Sequence, residues 1–192
     1  MKKTTWRFAV SGAAAGAANG LFGGGGGSVL VPLLTRFCGL EQRQAFSTSL
    51  AVILPLCVLS AAVYLFRGGL DLLAALPYLI GGTVGGWLGG TLLLVYMTAF
   101  AGLDQRLAQG INLLYFLPSA AMALPAHWRN GSVVRPVLLP AILAGLVTAG
   151  AAAWAATVMD VELLRRCFGG FLIIIGGMEL FGKERGGQKP SS

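Results

Sequence analysis

Asn19-Gly20-Leu21-Phe22-Gly23-Gly24-Gly25-Gly26-Gly27-Ser28-Val29-Leu30-Val31-Pro32-Leu33-Leu34 lies inside a charge-free run, Phe8–Thr35. Five consecutive glycines cannot hold a stable helix, because each costs about 1 kcal/mol relative to alanine. The run is apolar enough for a bilayer but too interrupted for one helix, so it predicts a Gly-broken or re-entrant first segment. A break just before Ser28–Leu34 leaves backbone N–H groups unpaired and aimed at one point. Such a helix start attracts anions without burying a Lys or Arg. A soluble phosphate loop would end in Lys followed by Ser or Thr; here Ser28-Val29 follows. Close helix packing is the competing use of glycine, and it suits a single glycine better than five.

The composition sets the class around this stretch. Of 192 residues, 56% are hydrophobic and 11% charged, and mean hydropathy is +0.76. Soluble domains carry about 25% charge, so this chain is neither disordered nor an ordinary soluble globule. Its apolar runs are continuous, whereas barrel strands would alternate. The expected fold is an all-α membrane protein, a polytopic bundle of about six transmembrane segments. Charge-free runs at Phe8–Thr35, Gln44–Phe66, Leu72–Leu103, Leu107–Trp128 and Pro136–Met159 supply five. Val161–Phe181 supplies the sixth if its flanking charges snorkel. Leu72–Leu103 would make about 48 Å of helix and must tilt, break or run along the interface. The expected organisation is a single transmembrane domain over 1–181 and a polar cytoplasmic tail over 182–192.

Fourteen Lys and Arg against seven Asp and Glu give a formal charge of +7. The basic residues stand singly between apolar runs, a pattern of membrane topology rather than nucleic-acid binding. Six spans place both termini on one side. On that side fall Lys2, Lys3, Arg7, Arg67, Arg129, Arg135, Lys183, Arg185 and Lys189. Arg36, Arg43, Arg106, Arg165 and Arg166 fall opposite. The positive-inside rule then puts both termini in the cytoplasm. The first segment is too long for a signal-peptide core and is expected to be retained. Cys38, Cys57 and Cys167 are odd in number and lack CxxC spacing, and His127 is the single histidine. No metal site, cofactor or disulfide framework is expected. The spans hold no His pair, acid pair or Ser with a general base, so no catalytic residue is expected and the chain is not read as an enzyme. A carboxylate proton relay is likewise unsupported; Glu179 and His127 are the titratable candidates nearest the membrane.

Residues 45–87 repeat at 108–150 under a gapless shift of 63. Leu54-Pro55 meets Leu117-Pro118, Gly68 meets Gly131, Leu76-Pro77 meets Leu139-Pro140, and Gly82 meets Gly145. Each copy reads as a helix with a central Pro, a Gly loop, and a helix with Pro then Gly. Repeats with broken helices at matching places point to a transporter site near the midplane. A duplicated helix pair kept for packing is the plainer alternative.

The stretch Gly-Leu-Phe-Gly-Gly-Gly-Gly-Gly-Ser-Val-Leu-Val-Pro-Leu-Leu resembles the signature of the sulfite exporter TauE/SafE family of membrane permeases. Gln44-Ala45-Phe46-Ser47-Thr48-Ser49-Leu50-Ala51 is similar to the family's Ala-x-x-Thr-Ser-Leu-Ala helix start. Gly81-Gly82-Thr83-Val84-Gly85-Gly86-Trp87-Leu88-Gly89-Gly90 is similar to its later Gly-spaced helix. The resemblance is strongest over Gly12–Thr91. It implies a transporter for small sulfur anions such as sulfite or sulfonates in a bacterial inner membrane. The small anion and the lipid bilayer are then the partners. Gly24, Gly25, Gly26, Gly27 and Ser28 would supply backbone donors, with the Ser28 hydroxyl. Ser47, Thr48 and Ser49 would add hydroxyls, although each can bond its own helix carbonyl instead. Asn19, Gln109 and Asn112 would complete a polar lining. Arg43 could attract anions but reads more simply as a topology residue. Family members are commonly longer, with a second Gly-rich signature for which Leu92–Leu103 leaves no room. The alternative function is therefore a non-transporting or half-size subunit that needs a homodimer or a companion permease subunit.

Overall fold

The computed structural model describes residues 2–24, 26–67 and 105–180. They form α1 (Lys2–Phe22), α2 (Gly26–Arg36), α3 (Gln42–Phe66), α4 (Gln105–Arg129), α5 (Arg135–Val158) and α6 (Val161–Leu180). No strand occurs among the described residues. Three helices, Gln42–Phe66, Arg106–Arg129 and Arg135–Val158, are long and apolar enough to cross a membrane. The chain is an all-α membrane protein whose first segment is broken by glycine. The expected span Leu72–Leu103, the run Gly81–Gly90, Gly25 and the tail 182–192 lie outside the described residues.

The break comes at the glycines. Gly23 closes α1 with φ of +68°, a left-handed conformation that L side chains disfavour. Its N–H still donates to the Asn19 carbonyl (2.9 Å). The chain then turns and α2 runs back beside α1. At the far end of this hairpin, the Arg7 guanidinium donates to the Phe37 carbonyl (3.2 Å), and the Ser11 hydroxyl lies 3.9 Å from Cys38 Sγ. The start of α1 and the end of α2 thus share one face of the bundle, called here the N-terminal face.

From that face α3 runs to the opposite one. Its first turns meet the corner between α4 and α5, where Ser47 Oγ lies 3.0 Å from His127 Nδ1 and the Val134 N–H donates to Thr48 Oγ1 (3.0 Å). Its last turn meets the start of α4, where the Tyr64 hydroxyl donates to Gln109 Oε1 (2.7 Å). Helices α3 and α4 are therefore antiparallel. Shifted by 63, Gln42 and Phe66 fall on Gln105 and Arg129, the bounds of α4. The first helices of the two repeat copies thus point in opposite directions across the membrane. The rest of the first copy, 68–87, lies outside the described residues.

Helix α5 runs parallel to α1, and the two pack closely through small residues. Gly12, Gly16 and Gly20 recur every fourth position and face Ala141, Gly145, and Ala149 with Ala153. A Cβ on Gly16 would collide with the Gly145 carbonyl and the Thr148 hydroxyl. With no side chain between them the backbones approach, and dispersion and polar contacts replace the hydrophobic drive that lipid cannot supply. Thr148 Oγ1 donates to the Ala13 carbonyl across this seam (2.9 Å). Phe22 fixes α6 by stacking on Phe171 (centroids 4.7 Å) and tilting against Phe168 (5.7 Å).

This path corrects the expected sidedness of three arginines. Arg36 and Arg43 stand at the N-terminal face with Arg7, because the break turns Phe8–Thr35 into a hairpin that makes no net crossing. Arg67 stands at the opposite face, stacked over Trp154 (5.6 Å), near where Arg106 donates to the Met159 carbonyl. The exposed Trp6 and Trp128 mark one interface and the exposed Trp154 the other.

Candidate functional site

The break is lined by buried polar side chains, Asn19, Ser60, Gln109 and Asn112. Asn19 is fully buried on the last turns of α1. Its Nδ2 donates to Ser60 Oγ (3.4 Å), and its Oδ1 accepts from the Cys57 thiol (3.4 Å). The Tyr64 hydroxyl, one turn beyond Ser60, lies 3.2 Å from the Gly20 carbonyl and 2.7 Å from Gln109 Oε1. One turn along α4 from Gln109, Asn112 Nδ2 donates to the Gly23 carbonyl (2.8 Å). A carbonyl freed by a broken helix in an apolar bundle needs such a partner.

The glycines let these elements close on one another. A Cβ on Gly23 would lie 2.6 Å from the Gln109 carbonyl oxygen and 2.7 Å from its Cα. One on Gly24 would collide with the Asn112 amide, and one on Gly26 would lie 3.1 Å from Asn19 Cβ and from the Ala15 carbonyl. The Gly27 position has more room, with Ile53 Cδ1 at 3.5 Å. Helix α2 starts inside this setting. The N–H groups of its first turn have no acceptor within their own helix, and they carry the positive end of its dipole. Gly24 and Ser28 are exposed at the edge of the break, whereas Gly26 is buried. Chemically, the arrangement offers backbone and amide donors, and among the described residues none of those named around the break is a carboxylate. It suits an anion better than a cation.

The structure brings Asn19, Gly24, Gly26, Gly27, Ser28 and Asn112 together around the break; Gly25 is not among the described residues. It keeps Ser47, Thr48 and Ser49 apart from them. Ser49 and Ser60 are separated by about 16 Å of helix rise on α3. All three hydroxyls are buried and locally engaged. Ser47 donates to the Arg43 carbonyl (2.9 Å) and meets His127, Ser49 donates to the Phe46 carbonyl (2.8 Å), and Thr48 receives the Val134 N–H. They anchor the start of α3 to the α4–α5 corner.

Sequence reasoning missed Cys57, Ser60 and Tyr64. Their spacing of three and then four residues puts them on one face of α3, a polar stripe in an apolar helix that periodicity could have shown. Among the described residues no group of three His, Cys, Asp or Glu could hold a metal ion.

A family model described as sulfite exporter TauE/SafE matches residues 1–95 and 89–192, which together take in the whole chain. No curated protein and no solved structure matches it.

Proposed function

Since the chain belongs to the sulfite exporter TauE/SafE family, a family of membrane transporters and not enzymes, we propose that its cargo is a small oxoanion, sulfite or an organic sulfonate, bound where α2 begins. The observation that carries this reading is the helix break. A helix start at Gly26 opens beside Gly23 and Gly24, against the buried amides of Asn19 on α1 and Asn112 on α4. Anions bind such starts because the donors are fixed in advance and cost no reorganisation. The antiparallel first helices of the repeat add support, since inverted repeats meeting at broken helices are a common transporter architecture.

The N-terminal face is assigned to the cytoplasm of a bacterial inner membrane. Lys2, Lys3, Arg7, Arg36, Arg43, Arg129 and Arg135 lie at that face, against Arg67, Arg106, Arg165 and Arg166 opposite. The basic excess still lies on the side of the N-terminus, as the positive-inside rule asks of a cytoplasmic face. The exposed edge of the break, at Gly24 and Ser28, is where a second copy or a companion subunit would complete a two-sided pathway.

The test is flux in proteoliposomes holding the purified chain, with sulfite, methanesulfonate and taurine offered in turn. Movement of one or more above empty liposomes supports the reading. No movement of any of the three refutes self-sufficient transport and favours the subunit alternative.

A further inference from the structure

Gln109 is fully buried on α4, and its side-chain nitrogen has no hydrogen-bond partner. Buried amides are almost always paired, so an unpaired one needs a reason. Its other atom is well held, since Oε1 lies 2.7 Å from the Tyr64 hydroxyl. That separation is the ordinary O–H···O distance and is short for N–H···O. Tyr64 has one proton, and the alternative acceptor, the Gly20 carbonyl, is farther away at 3.2 Å. The phenol therefore fixes the amide with its oxygen toward α3 and leaves the NH2 as the unsatisfied end. The same residue packs directly on the break, with its backbone 2.6–2.7 Å from where a Gly23 Cβ would be. Three residues beyond Gly23, α2 begins.

We infer that the Gln109 NH2 is a substrate donor, the side-chain counterpart of the α2 N–H groups, and that it binds an oxygen of the transported oxoanion. The inference rests on the anion reading above and sharpens it. A ligand that offers several acceptor oxygens can engage the helix start and the amide together. Leaving the donor unmet in the empty state makes the site more stable when filled than when vacant. A buried site that lacks its partner rejects ligands without the matching acceptor.

Gln109→Met tests this, because methionine nearly matches glutamine in volume and carries no donor. The variant orphans no other donor, since Tyr64 keeps the Gly20 carbonyl as an acceptor. Melting temperature in detergent and sulfite or methanesulfonate affinity, from ligand-dependent thermal shift, are read on wild type and variant together. The empty variant is expected to melt no lower than wild type. Its oxoanion affinity is expected to fall about tenfold to a hundredfold, the usual loss of a hydrogen bond to a charged group. A wild type that responds to the anions while Gln109→Met binds them equally well overturns the inference alone, and a resident water then satisfies the amide. A variant that melts clearly lower or fails to fold overturns it as well, because the amide is then structural. A wild type that neither sulfite nor methanesulfonate stabilises overturns the anion reading, and this inference falls with it.

Discussion

Replacing Gly23 with alanine meets two separate costs. The backbone cost comes from φ of +68°, a left-handed conformation that costs an L residue roughly 1–2 kcal/mol. The packing cost comes from the new Cβ, which would lie 2.6 Å from the Gln109 oxygen and 2.7 Å from its Cα and Cβ. The nearest of these atoms are backbone on a packed helix and cannot rotate away, so overpacking adds about 1–3 kcal/mol. Together they amount to about 2–5 kcal/mol. Gly39 offers an internal comparison, with φ of +72° and nothing within 4 Å of its Cβ position. Gly39→Ala carries the backbone cost alone. Thermal unfolding in detergent, followed by circular dichroism, reads both. At roughly 2–4 °C per kcal/mol for a chain of this size, Gly23→Ala loses about 4–20 °C and Gly39→Ala about 2–8 °C. The ordering is the informative result. Equal losses in the two variants would refute the close seating of the break on α4.

Asn112→Leu removes the amide that donates to the Gly23 carbonyl, and stranding that oxygen costs about 1–3 kcal/mol, read as a lower melting temperature. Gly16→Ala forces α1 from α5 at the Gly145 carbonyl and destabilises by about 1–3 kcal/mol. Gly169→Ala on α6, where nothing lies within 4 Å, is neutral or stabilises by up to ~1 kcal/mol; the same melting curves separate them. A membrane-impermeant maleimide should reach Cys38 from the side that exposes the N-terminus, and Arg67→Cys from the other. Labelling of both from one side would overturn the hairpin. Burial raises the Cys38 thiol above its ordinary pKa, against smaller lowering by the Ser11 hydrogen bond and the Arg7 charge. The reactive thiolate is therefore scarce at neutral pH. Labelling is expected to be slow there and to keep accelerating with pH beyond the range in which an exposed cysteine saturates.

The break itself was legible, because five adjacent glycines defeat a helix by propensity whatever surrounds them. Asn19 and Asn112 were legible as polar residues in apolar runs, and the structure gathers both at the break. The direction of the chain after Gly23 was not legible. A charge-free run fixes how much membrane can be crossed, but a turn inside it changes the side on which the next loops fall. Arg36, Arg43 and Arg67 changed sides for that reason. The hydroxyls of Ser47–Ser49 were legible as polar groups at a helix start but not as to their partners. The Arg43 and Phe46 carbonyls lie within one turn, and His127 and Val134 reach them only through the antiparallel pairing of α3 and α4. Gln109 could be named as lining, whereas its unpaired nitrogen depends on where Tyr64 stands.

Sulfite flux through Ser28→Leu proteoliposomes tests whether the start of α2 holds the transported anion. Ser28 is exposed at the edge of the break, so leucine there can be accommodated by the fold while it covers the donors. A folded variant that has lost most of its sulfite flux is the expected result. Wild-type flux through folded Ser28→Leu would contradict it.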